Sequence, residues 1–304
     1  MTTRYSIKNW FKYFVYLSVV FLIWYLWDNK MLQIPQIENF FALFFAILFL
    51  FSGYLTKTKS WQAGLISKNV NATFSDSLAS TGMAELGKFI PGKLWTIVGR
   101  ARYISEHYPI PTKNASGISL VVLMITIWSG IFFALLGAYF AELPNIWTIT
   151  LTTAWTLLTL LLFFKPLHQL IEKQFEKLLK RKFSLPLIDF NQIRYIIHWF
   201  FIDWLVRMAG FYFLLYAMLG SYPEIYQALG FPLAITLGIL AVFSPGGLGV
   251  REGILIVWFQ ASGFDLAMAT SFSVTVRIYT LIGDVGIFCI GLLMNKSGFV
   301  KKSR

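Results

Sequence analysis

The chain has 304 residues, of which 57% are hydrophobic, 18% aromatic and 13% charged. A soluble domain carries about 25% charged residues, so a soluble globular class is excluded. A net charge of +12 would point to nucleic acid in a soluble protein; here basic loops beside membrane helices explain it better, and no nucleic-acid partner is expected.

Apolar runs long enough to cross a bilayer, about 20 residues each, recur along the chain. The first, 10–27, follows Arg4, Lys8 and Lys12 and leads into Trp27-Asp28-Asn29-Lys30. No small-residue cleavage site follows it, so it is expected to stay as an uncleaved first helix. A second span is predicted at 39–55. The next apolar segment, 76–106, is interrupted at Pro91-Gly92. Spans at 117–140 and 146–164 come next.

The basic stretch 165–194 is too short for a core of its own. Leu167, Leu170, Ile171, Phe175, Leu178 and Leu179 recur in it at helical spacing, with lysines and Arg181 on the other face. It reads as a cytoplasmic amphipathic loop, lying on the anionic leaflet or serving as a solvated connector. A fifth span is predicted at 195–220. A second broken segment, 231–262, is interrupted at Ser244-Pro245-Gly246-Gly247-Leu248-Gly249, and the last span is 267–293. The only cysteine, Cys289, lies in that apolar run, which excludes a disulfide framework and a cysteine metal site.

The expected fold is all-α and polytopic: one membrane domain over 1–304, about six spanning helices and two broken re-entrant hairpins. Charge supports re-entrance. If both broken segments return to the face they entered, only Lys30, Arg207, Arg251 and Arg277 of the 26 basic residues fall outside the cytoplasmic pieces. Letting the first segment cross would place 165–194 outside, against the positive-inside bias. Both termini are then cytoplasmic in a cell (inner or plasma) membrane.

The breaks resemble each other. Phe89-Ile90-Pro91-Gly92-Lys93-Leu94 aligns with Phe243-Ser244-Pro245-Gly246-Gly247-Leu248, and Arg100 and Arg251 follow them. Matched Pro-Gly interruptions in two halves point either to an inverted repeat with a central transporter site or to a chance match of four residues in six in a chain rich in Phe and Leu. A broken helix also presents unpaired N–H groups suited to phosphate or carboxylate. Candidate headgroup ligands are therefore Lys93, Arg100, Arg251 and Glu252; Lys93, Arg100 and Arg102 can equally be topology anchors. Asp203 and Arg207 share one helix face, as do Arg277 and Asp284. Either Arg207 and Arg277 join Arg251 around a phosphate, with Asp203 and Asp284 balancing charge, or each pair is a structural lock. Glu252 can pair with any of the three arginines.

These residues carry a family resemblance. Gly87-Lys88-Phe89-Ile90-Pro91-Gly92-Lys93-Leu94-Trp95, with Arg100, is similar to the first signature of the lysylphosphatidylglycerol synthase transmembrane (flippase) family. Ser244-Pro245-Gly246-Gly247-Leu248-Gly249-Val250-Arg251-Glu252-Gly253 is similar to its second. Fused members continue into a cytoplasmic aminoacyl transferase domain. A sequence ending at Arg304 is expected to be a stand-alone member, for which the resemblance implies no lipid lysylation. It implies movement of a lipid or polyprenyl-linked sugar between leaflets, beside envelope polysaccharide or glycolipid pathways.

Rival readings are a membrane-embedded enzyme and an accessory subunit holding pathway enzymes. An enzyme would need acid/base or metal groups at the interface. His107, His168 and His198 are scattered, Asp203 and Asp284 form no metal motif, and no phosphate-cradling glycine loop occurs. No cofactor and no metal is expected. The expected partner is a membrane lipid or lipid-linked sugar.

Overall fold

The structure, a computed structural model, describes residues 36–90, 94–141, 143–164 and 190–296, with a few isolated positions between 165 and 189. The expected first span and most of the amphipathic loop lie outside the described residues, as do Pro91, Gly92 and Lys93.

Among the described residues, five helices are long and apolar enough to cross a membrane. They are α1 (Phe40–Ile66), α4 (Thr112–Phe140), α5 (Asn145–Phe163), α6 (Phe190–Leu219) and α9 (Leu266–Lys296); between them lie the shorter helices α2 (Phe74–Glu85), α3 (Leu94–His107), α7 (Gly230–Leu240) and α8 (Val250–Ala261), and a single helical turn at Ile225–Ala228. The chain is thus an all-α polytopic membrane protein.

The long helices follow the predicted spans, and α1, α4 and α9 extend beyond them. Helix α1 starts where Asn39 caps the Ala42 N–H at 2.9 Å and continues past residue 55 to Ile66. At 1.5 Å per residue its 27 residues reach about 40 Å, beyond a hydrocarbon core of about 30 Å. Apolarity marks where a helix lies in lipid, not where its hydrogen bonds end. The ladder stops only at Ser67–Asn69, with Asn69 in the left-handed region (φ 61°).

The two broken segments are helical hairpins. In the first, α2 and a 3₁₀ turn at Leu86–Phe89 precede α3, and the two helices pack together. Their far ends are tied: the Thr73 N–H donates to the Tyr108 hydroxyl at 2.9 Å, and that hydroxyl donates to Asp76. In the second, α7 and a 3₁₀ turn at Pro245–Gly247 precede α8. Trp258 on α8 packs against Gly230 at the start of α7, closing the feet of that hairpin.

Packing repeats itself internally. The order span, hairpin, span occurs as α1, α2–α3, α4 and again as α6, α7–α8, α9, with α5 between. Helices α1 and α6 form the most extensive contact, partly through Phe213 stacked on Phe45 (5.4 Å) and Phe49 (5.6 Å). Hairpins are exchanged: α2 packs on α9, and α7 packs on α4. Because lipid is as apolar as a core side chain, such packing and interhelical hydrogen bonds hold the bundle; Tyr279 on α9, for example, donates to the Ala46 carbonyl on α1 at 2.8 Å.

Candidate functional site

The two breaks meet. Gly246 has φ 60°, and a Cβ there would collide with the Phe89 ring from the other hairpin. Glycine is therefore required both for the left-handed backbone and for the approach. Gly247 and Gly249 also have positive φ, at 74° and 79°, so the Pro-Gly-Gly-Leu-Gly run turns in a way no helix can. Arg277 from α9 joins the two breaks. Its Nη1 donates to the Gly246 carbonyl at 3.1 Å, and its guanidinium lies 5.6 Å from the Phe89 ring centre.

Beside this junction is a cavity of about 360 Å³ lined by α1, α2, α3, α4, α6, α7, α8 and α9. A buried water needs about 10–15 Å³, and ligand pockets run from about 300 to 1,000 Å³, so the space suits a headgroup. Five cations line it, Lys57, Lys88, Arg100, Arg207 and Arg251, against three acids, Glu85, Asp203 and Asp284.

Each acid is occupied. Glu85 holds Lys57 at 2.5 Å and Lys88 at 2.9 Å. Asp284 accepts from Lys88 at 2.5 Å and from the Tyr54 hydroxyl. Asp203 accepts from Arg207 Nε at 2.8 Å and the Thr56 hydroxyl at 2.9 Å. All three carboxylates are buried, at 1%, 3% and 2% exposure for Glu85, Asp203 and Asp284, which is tolerable only with such partners.

Two cations make no hydrogen bond or ion pair to a carboxylate among the described residues, although Glu85 acts on Arg100 and Asp284 and Glu252 act on Arg251 at longer range. Arg100 is buried and donates to the Ser119 hydroxyl (2.5 Å) and carbonyl (2.7 Å), with its guanidinium 4.5 Å from the Trp61 ring. Arg251 has no hydrogen bond or ion pair at all among them, and its Nε is buried without a partner. Its side chain threads past Gly238 of α7 and Gly247 of the break, where any Cβ would strike it.

Glu252 does a different job. One carboxylate oxygen accepts the Gly249 N–H at 2.7 Å, capping α8 from its first turn. The other lies 3.6 Å from Arg277 Nε with no hydrogen bond.

Of the residues singled out in the sequence, the cavity gathers Arg100, Arg251, Arg207, Asp203 and Asp284, while Arg277 and Glu252 sit at its edge against Arg251. Lys93 lies outside the described residues. Asp203 and Arg207 pair as their spacing suggests. Arg277 and Asp284 do not pair: seven residues are two helical turns, roughly 10 Å of rise, so they share a face without touching. Asp284 instead reaches the first hairpin. Sequence reading passed over Tyr54, Lys57, Glu85 and Lys88. The signal was Glu85, a lone acid inside an apolar segment three residues before Lys88, a spacing that pairs on a helix.

Two exchanged helix hairpins over a charged central cavity define a class of polytopic α-helical membrane proteins built around a mid-membrane site. Residues 9–287 match the family described as the lysylphosphatidylglycerol synthase TM region. The chain belongs to that family, as a multi-pass membrane protein of lipid metabolism or translocation. No curated protein and no solved structure matches the chain.

Proposed function

We propose that the protein moves an anionic lipid between the leaflets of the cell (inner or plasma) membrane, with both termini cytoplasmic. The cargo is an anionic phospholipid or a polyprenyl-phosphate-linked glycolipid. The observation that carries this reading is Arg251, a cation facing the cavity that makes no hydrogen bond or ion pair among the described residues, with Asp284 and Glu252 acting on it only at longer range. A cation at membrane depth costs about 3 kcal/mol even on the mildest scales, and a phosphate offsets that cost when it binds.

In this mechanism the phosphate sits between Arg251 and Arg100, and the lipid tails stay in the bilayer. Helices α3 and α7 both pack on α4 and both line the cavity. Beside it they expose Trp95, Val98, Leu240 and, just beyond α7, Val242 and Phe243, an apolar flank suited to lipid chains. Arg277 and Glu252 hold the junction of the breaks, and Arg207 stays with Asp203. Hairpins inserted from opposite faces give each leaflet one mobile element. A headgroup that competes with the internal ion pairs biases inward-open against outward-open forms.

The test is flipping of fluorescent phosphatidylglycerol, phosphatidic acid and a short-chain polyprenyl diphosphate by the purified full chain in proteoliposomes. Arg251→Gln should insert normally and lose transport. Wild-type flipping by that variant, or none by the wild type, sinks the proposal.

A further inference from the structure

Charges around the cavity pair off in a way that constrains the ligand. Lys57, Lys88 and Arg207 are met by Glu85, Asp284 and Asp203, each within 2.9 Å of a cation. Arg277 has Glu252 at 3.6 Å. Arg100 and Arg251 are what remains: Arg100 bonds only to neutral Ser119, and Arg251 bonds to nothing among the described residues. A singly charged phosphodiester would leave one of these guanidinium groups uncompensated in a low-dielectric site.

The neutral groups around Arg100 fit the same ligand. Thr96 lies one turn before Arg100 on α3 and also lines the cavity, and its buried hydroxyl has no hydrogen-bond partner. That hydroxyl is a ready donor to an additional phosphate oxygen.

We infer that the cavity selects a doubly charged phosphate headgroup, held between Arg100 and Arg251 with the Thr96 hydroxyl on one of its oxygens. The inference rests on the translocation reading above and narrows its cargo. The shared chemistry is two negative charges on phosphate, from either a diphosphate ester or a phosphomonoester.

The experiment is calorimetric binding to the purified full chain in uncharged detergent, at about pH 8 so that a phosphomonoester is fully ionised. The probes are farnesyl diphosphate, dioctanoyl phosphatidic acid and dioctanoyl phosphatidylglycerol. At least one doubly charged probe should bind about tenfold or more tighter than phosphatidylglycerol, which equals about 1.4 kcal/mol. Whichever gains identifies the source as diphosphate ester, phosphomonoester or both. Arg100→Gln and Arg251→Gln should each bring the preference below about threefold, or 0.65 kcal/mol. Arg100→Lys and Arg251→Lys, which keep the charge, should retain it and show that the sites still fold. Equal affinity for all three probes, no binding of any, or a preference that survives both glutamine variants overturns the inference. If wild-type protein flips phosphatidylglycerol in an Arg251-dependent way yet shows no preference, this inference alone fails; if it flips nothing, the translocation reading fails with it.

Discussion

Replacing Gly238 with alanine should displace Arg251 without removing its charge. A Cβ at that position would lie 2.5 Å from Arg251 Nε and 3.0 Å from Cδ, and closer still to Cγ. Two effects oppose each other in stability. Alanine is better than glycine inside a helix by about 0.8–1.0 kcal/mol, whereas forcing a methyl into a filled space costs about 1–3 kcal/mol. The net loss should be roughly 0–2 kcal/mol, small enough for the protein to insert and purify. Transport should suffer more, because the guanidinium must leave its place between Gly238 and Gly247; a fall of at least about fivefold corresponds to 1 kcal/mol or more. Gly253→Ala on α8 is the control, since nothing lies within 4 Å of a Cβ there. It should leave transport unchanged. Both variants are read by thermal unfolding in detergent and by lipid flipping in proteoliposomes. Wild-type flipping by Gly238→Ala would refute the placement of Arg251 as the working cation.

Asp284→Asn should destabilise the protein by about 3 kcal/mol, because it removes one partner of a buried pair while Lys88 keeps Glu85 at 2.9 Å; thermal unfolding of the single and Lys88→Gln/Asp284→Asn double variants should show strong coupling, and additive losses would contradict the pairing. Tyr54→Phe removes a hydroxyl donor to the same carboxylate and should cost about 1.5–3 kcal/mol by the same assay. Gly246→Ala combines a left-handed backbone penalty of about 1–2 kcal/mol with a collision against Phe89, so its yield of folded protein should drop sharply, and normal yield would argue against contact between the breaks.

Much of the architecture was legible because lipid imposes a length and a composition on any helix that crosses it. Helices α4, α5, α6 and α9 begin and end within about five residues of the apolar runs that announce them. The breaks were legible because Pro245 removes a donor and Gly246 takes a backbone no other residue takes easily. Arg251 stood out because it interrupts an apolar segment. What spacing could not supply was partners across helices. Asp284 looks toward Arg277 along its own helix, yet it bonds Lys88, 196 residues away. Lys57 and Lys88 enter the sequence reading only as basic residues on the cytoplasmic side; in the fold α1 continues past Lys57, which reaches Glu85, and the first hairpin carries Lys88 inward to Glu85 and Asp284. The exchange of hairpins between the two halves decides those pairings, and it exists only in three dimensions.

The central claim is that Arg251 is a cation whose partner is a lipid headgroup. A cryo-electron microscopy map of the full chain in nanodiscs containing anionic lipid tests it most directly. Elongated density should enter the cavity beside α3 and α7, with its phosphate within about 4 Å of the Arg251 guanidinium, the reach of a charge-assisted hydrogen bond or close ion pair. A map in which Arg251 is neutralised by a carboxylate of the chain and the cavity holds only water would contradict the claim.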